Sequence, residues 1–245
     1  MIDLHCHLLP GIDDGPEDLA KALSLARHAV SAGIRISVVT PHMHAGRYEN
    51  RAANIRQAAQ KFQCALDVER IPLQIMSAAE VRLDHDILSW VGEDHIPYIG
   101  YWQGERVMLL EFPHSHVPVG ADKLVAWLLK QKIRPMIAHP ERNKDILRSI
   151  DKLIPFVQMG CLLQVTAGAI AGTFGEYARA RSTDLLARGW VTVLASDAHN
   201  LDARPPELEP GRAAAALIVG EDESWKLVRD RPAEIIAANQ SERKV

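Results

Sequence analysis

Apolar residues gather along the chain in seven short runs: IDLHCHL (2–8), IRISVVTP (34–41), LQIMSAAE (73–80), VMLLEF (107–112), IRPMIAH (133–139), CLLQVTA (161–167) and VTVLASD (191–197). Runs this continuous suit parallel strands covered on both faces rather than strands with one wet face. Helix-like stretches lie between them at 17–32, 50–69, 120–131, 145–159, 176–188 and 207–219, several bounded by Gly or Pro. The final ESWKLVRDRPAEIIAANQ reads as a short helix, a proline break and another helix. Seven strand–helix repeats predict an α/β fold, a distorted (β/α)7 barrel, with its site at the C-terminal ends of the strands. A dinucleotide-binding sheet fits less well, because GIDDG at 11–15 has neither the G-x-G-x-x-G spacing nor a following ribose-binding acid.

The barrel predicts where polar residues should collect. His5 and His7 lie in the first run, followed by Asp14; His42 follows the second; Glu80 ends the third; Glu111 lies in the fourth; His139 ends the fifth; Asp197 and His199 follow the seventh. Six of seven strands thus deliver a metal-type ligand at one end. Strand periodicity places Asp3, His5 and His7 on one face and Cys6 on the other, where it packs as a small hydrophobe. Asp3, deeper in the run, either orients a ligand or is a buried hydrogen-bond partner.

Five histidines and four carboxylates without thiolates suit Mn²⁺, Fe²⁺ or Zn²⁺ in a hydrolytic cluster better than a closed structural zinc site. Nine ligands exceed the needs of one ion. Three divalent ions against four carboxylates leave a positive site suited to an anionic ester, even with one hydroxide bound.

Length and composition set the remaining bounds. A chain of 245 residues, 47% hydrophobic, can bury one large core, so a single domain over 1–245 is expected. Mixed charge and a net −3 give no nucleic-acid surface. Cys6, Cys64 and Cys161 form no close pair, and the first residues lack a leader-like pattern, so a reduced, cytoplasmic protein is expected. The absence of a long apolar run predicts no direct membrane insertion. Cys64 and Arg70 in CALDVER have the C-x₅-R spacing of cysteine-dependent tyrosine phosphatases, but the segment has no glycine and continues a helical run, so no phosphate cradle is expected there.

DLHCHLLPGIDDGPED, TPH, AAE, LLEF, IAHPER and SDAHNLDARPP together resemble the polymerase and histidinol phosphatase (PHP) superfamily, and within it the bacterial CpsB/YwqE-type protein-tyrosine phosphatases. The resemblance covers nearly the whole chain. It implies an irregular α/β barrel holding three metal ions, usually manganese, that hydrolyses phosphotyrosine on the tail of a membrane-associated tyrosine autokinase controlling capsular or extracellular polysaccharide synthesis. It implies His5, His7, Asp14, His42, Glu80, Glu111, His139, Asp197 and His199 as metal ligands and Arg142 and Arg204 as phosphate-positioning groups. His42 and His199 are alternatively proton shuttles, with ligation the preferred reading. Glu141 either anchors an arginine or caps a loop. GRYEN (46–50), YIGYWQGERV and FPHSHVP are candidate rims of the substrate entrance, with Arg47 and Tyr48 foremost. Histidinol phosphatase and a non-catalytic, metal-stabilised kinase-binding regulator are the alternatives that the sequence leaves open.

Overall fold

The computed structural model describes residues 1–241. Each of the seven apolar runs contains strand, and β3 and β6 form outside them: β1 (Ile2–Cys6), β2 (Ile36–Val39), β3 (His42–Met43), β4 (Gln74–Ser77), β5 (Glu80–Arg82), β6 (Gly100–Trp102), β7 (Glu105–Glu111), β8 (Ile133–Ala138), β9 (Leu162–Thr166) and β10 (Val193–Ala195). The second and third strand positions are each split in two, with β3 starting just past the second run and β5 at the last residue of the third. β1, β2 and β4 form one parallel sheet, while β3, β5, β7, β8, β9 and β10 continue the ring as a second. A bridge between Cys6 and Ala198 joins the first run to the seventh. The result is a PHP/TIM-like barrel in sequence order, distorted where the second and third strands step from one sheet to the other.

That step has a local cause. Pro41 has no N–H to contribute to a ladder, so β2 ends before it and β3 begins after it. Ala78 still donates to Val39 O, but Glu80 donates to the Thr40 and Pro41 carbonyls, which resets the register. His42 and Glu80 become direct neighbours across β3 and β5.

Among the described residues eleven α-helices flank the ring: α1 (Leu19–Ser31), α2 (Ala52–Val68), α3 (Ile87–Gly92), α4 (Ala121–Lys130), α5 (Lys144–Arg148), α6 (Ile154–Gln158), α7 (Ala167–Ala171), α8 (Glu176–Ala187), α9 (Glu209–Val219), α10 (Glu221–Trp225) and α11 (Arg231–Ser241). The expected helix at 145–159 is instead two short α-helices around a 3₁₀ turn, with Pro155 in the first turn of α6, where its missing N–H is harmless. The expected break at Pro232 is absent. A π turn over Lys226–Asp230 leads into α11, and its wider winding accommodates the proline ring without ending the helix.

Two apolar clusters result. The larger lies between strands and helices. The smaller fills the barrel with Leu4, Val38, Met76, Val107, Leu109, Met136 and Val193, and Ile235 and Ile236 of α11 join it as a plug. On β7 the inner positions run Val107, Leu109, Glu111, so the barrel passes from apolar layers to a polar end. A register shift between Asp3 and Cys6 breaks strict alternation in β1. Leu4 packs in the inner cluster and Cys6 in the outer one. His5 and His7 therefore reach the polar end through this irregularity, not through the simple period expected from sequence.

The YIGYWQGERV segment is a hairpin of β6 and β7, turning through Gln103 and Gly104, both with positive φ. Its turn lies at the start of β7, opposite Glu111, so the expectation that it borders the site is overturned.

Candidate metal centre

Strand ends bring the nine expected ligands together. His7, Asp14, His42 and His199 form one group, His5, His7, Glu80 and Asp197 a second, and His42, Glu80 and Glu111 a third, with donor atoms within 4.8 Å of one another in each. His139 Nε2 lies 2.7 Å from Glu80 Oε1. Glu80 is central: its Oε2 lies 3.4 Å from both His5 Nε2 and His7 Nε2, and 3.0 Å from His42 Nδ1.

Three imidazoles are oriented from behind. His5 Nδ1–H donates to Gln164 Oε1 at 2.8 Å, His7 Nδ1–H to Asp13 Oδ2 at 2.6 Å, and His199 Nδ1–H to Asp197 O at 2.9 Å. In each ring Nε2 is thereby turned toward the shared carboxylates. Gln164 Oε1 also accepts the His139 amide at 3.2 Å, tying β9 to the end of β8. His139 and Asp197 both occupy the left-handed region, with φ of 32° and 52°. Such backbone costs about 1–3 kcal/mol per residue, and here it aims two side chains inward.

The electrostatics follow from crowding. Burial opposes charge on His7, but the Asp13 carboxylate outweighs it and the pKa is pushed up to about 9. For His42, burial is outweighed by Glu80 and Asp14, raising it to about 11. His199 goes the other way: burial, reinforced by the nearby His7, pushes it down to about 4. Burial alone would raise Glu80 and Asp197, yet His5, with His42 beside Glu80 and Arg142 beside Asp197, holds both carboxyls below the ordinary range.

Arg142 donates to Asp197 Oδ2, and its guanidinium lies 4.7 Å from the Phe174 ring centroid. Arg204 Nη1 lies 3.7 Å from the same Asp197 oxygen. Both arginines line a cavity of about 270 Å³ with His42, Glu80, Glu111, His139, Asp197 and His199. Arg47, Tyr48 and His114 line it too, placing GRYEN and FPHSHVP at its rim.

Other expectations resolve one by one. Asp3 accepts from Ser196 N–H at 2.9 Å and from the Ser196 hydroxyl, so it is a buried hydrogen-bond partner joining the first and seventh runs. Glu141 accepts the Thr166 amide at 2.9 Å and pins the end of β9. Cys64 is an exposed residue of α2 and Arg70 follows that helix, away from the cavity. Sequence reasoning missed Asp13, Gln164 and Arg82, whose Nη1 pairs with Glu111 Oε2 at 2.9 Å. For Asp13 a signal existed, the doubled acid of GIDDG; for Gln164 there was only a polar residue inside an apolar run.

The protein-family model described as capsular polysaccharide synthesis, CpsB/CapC, matches residues 1–237. The chain belongs to the CpsB/CapC family. Among CpsB/CapC relatives, it is 34% identical over 241 residues to tyrosine-protein phosphatase YwqE of Bacillus subtilis, covering 98% of this chain and 93% of that one. It is 28% identical over 245 residues to tyrosine-protein phosphatase CpsB of Streptococcus pneumoniae, covering 96% and 98%. A crystal structure from work on YwqE and CpsB, described as unique metal-dependent tyrosine phosphatases, superposes with a TM-score of 0.89 at 33% identity, covering 97% of this chain and 95% of that chain. The phosphotriesterase homology protein of Escherichia coli shares the CpsB/CapC fold alone, with a TM-score of 0.59 at 12% identity, covering 96% and 97%.

Proposed function

We propose that this chain is a metal-dependent protein-tyrosine phosphatase, holding three divalent ions on His5, His7, Asp14, His42, Glu80, Glu111, His139, Asp197 and His199. One observation carries the reading: three imidazoles, fixed from behind, turn Nε2 toward shared carboxylates. Two buried atoms in that centre, Glu80 Oε2 and His199 Nε2, have no hydrogen-bond partner among the described residues, as expected of donors that a cation would satisfy. Nitrogen and carboxylate donors without thiolate suit Mn²⁺, Fe²⁺ or Zn²⁺ alike, and the family resemblance makes Mn²⁺ the ion proposed here. Bound there, such ions lower the pKa of water and offset charge on the transferring phosphoryl group.

The chain's own groups do the rest. Arg142 and Arg204 offer planar donors to phosphoryl oxygens, with Arg142 steadied by Phe174 and Thr166. Gln164 and Asp13 hold the His5 and His7 rings in one tautomer. A phenolate leaves more readily than an alkoxide, which lessens the demand for a general acid.

The substrate in this reading is the tyrosine-phosphorylated tail of a membrane-associated bacterial autokinase that governs capsular or extracellular polysaccharide synthesis, met in the cytoplasm. No helix among the described residues is long and apolar enough to cross a membrane. The test compares hydrolysis of such a phosphorylated tail with that of histidinol phosphate, before and after chelation and with Mn²⁺ restored. Preference for the tail, lost on chelation and regained with Mn²⁺, supports the reading. Preference for histidinol phosphate, or full activity after chelation, overturns it; kinase binding without turnover would make the chain a regulator.

A further inference from the structure

The turn after β3 builds a wall at the cavity mouth that the chemistry so far does not use. His44 and Tyr48 close it with a reciprocal pair of backbone hydrogen bonds, Tyr48 N–H to His44 O at 2.8 Å and His44 N–H to Tyr48 O at 3.1 Å. Gly46, at φ 75°, supplies the left-handed step, and its amide donates to Glu49 Oε1 at 2.6 Å. The loop is therefore a fixed shelf. It carries two neighbouring side chains to the cavity that holds Glu80, Asp197 and Arg142.

Those two side chains have little structural employment. The Tyr48 ring is stacked on the His42 imidazole, 5.4 Å between centroids and 13° from parallel. It does not belong to either apolar cluster, and its hydroxyl has no hydrogen-bond partner among the described residues. The Arg47 guanidinium lies 5.0 Å from the Tyr48 ring centroid. Arg82 and Arg142 are paired with carboxylates, and Arg204 approaches one, whereas Arg47 has no carboxylate within salt-bridge distance among the described residues. An exposed guanidinium held over an aromatic ring is weakly hydrated, and guanidinium and ring are both good surfaces for another ring.

We propose that Arg47 and Tyr48 form a ring-binding wall that makes this centre selective for aryl over alkyl phosphate monoesters. The inference rests on the phosphatase reading above and deepens it. With the phosphate at the floor beside Arg142, an aryl ester's ring begins one oxygen away from phosphorus and rises toward the mouth, where this pair stands. A serine or small alkyl ester has no ring to lay there. Arg47 and Tyr48 are thus specificity-determining residues, distinct from the groups that meet the phosphate.

The test measures inhibition by phenylphosphonate and methylphosphonate, which share the anion, differ in the ring and have no ester to cleave, with the Mn²⁺-loaded full chain. The variants are Arg47→Ala, Tyr48→Ala and Tyr48→Phe, with metal content measured in each. The expected result is a fall of about tenfold in the phenyl-to-methyl preference for both alanine variants, retained preference in Tyr48→Phe, and a matching rise in KM for a phosphotyrosine peptide. Arg47 is on the surface, so its variant tests the wall without endangering the fold. Equal weakening of both phosphonates, or an unchanged preference in Arg47→Ala, overturns the wall. A wild-type chain that binds phenylphosphonate preferentially but turns over no phosphotyrosine sinks the phosphatase reading while leaving ring selectivity standing.

Discussion

His7 owes its orientation to one carboxylate, and that carboxylate is Asp13, which also accepts the His42 amide at 3.1 Å and the Gly15 amide at 3.0 Å. Asp13→Ala removes all three anchors while leaving the nine proposed donors in place. Metal affinity is expected to fall about 10- to 100-fold, with the far-ultraviolet dichroism of the native chain retained. Titration of Mn²⁺ into the metal-free variant checks this, and wild-type affinity would show that His7 needs no backing. Cys64→Ser is the complementary change. The thiol is exposed on α2 and does not line the cavity, so phosphotyrosine turnover should stay within twofold of wild type. Loss of turnover with metals fully bound would restore the cysteine chemistry that the C-x₅-R spacing suggests. At this scale the sequence reveals donors by type, since histidines and acids at the ends of apolar runs are conspicuous. It hides the residues that act by whom they touch. Gln164 meets His5 across 159 positions, and nothing local to either residue announces the contact.

Elements were legible wherever one property decided them. Continuous apolar runs marked all seven strand positions, and Gly or Pro punctuation bounded most of the long helices. What periodicity could not supply was the split of β2 from β3 and β4 from β5, since that depends on two neighbouring strands changing register together. The same holds for α11, whose proline looks like a break until the preceding π turn is seen. Its docking is equally non-local: Gly100 in β6 lies so close to the helix that a Cβ there would stand 2.0 Å from Ile235 O and 2.8 Å from Ile235 C. These are backbone atoms and cannot swing aside. Gly100→Ala should therefore push α11 off the barrel floor and cost about 1–3 kcal/mol, lowering the melting temperature by several degrees. Thermal unfolding of the variant beside wild type measures it, and an unchanged midpoint would mean that the plug is not tightly seated.

Across the whole molecule, ring closure between the first and seventh runs gathers titratable groups from six strands into one end of the barrel, and their charges become a collective property. Sequence could count these groups and place them at one end; it could not say which would hold protons. In the metal-free chain His7, with its pKa raised from about 6.5 to about 9, gives a contribution to stability that is complete below pH 6.5 and is lost as the pH rises through about 9. His42, raised to about 11, remains charged across that range. Cations compete with these protons for the same nitrogens, so metal uptake must expel them, and its free energy must improve as the pH rises. The melting temperature of the Mn²⁺-loaded chain should therefore exceed that of the metal-free chain by a margin that widens from pH 6.5 to 8.5. Calorimetric titration at pH 7.5, in two buffers of different ionisation heat, should show release of at least one proton per chain. A constant margin with no proton release would mean that the imidazoles at this end of the barrel are already neutral, and that the carboxylates around Glu80 do not hold the metal-free centre together.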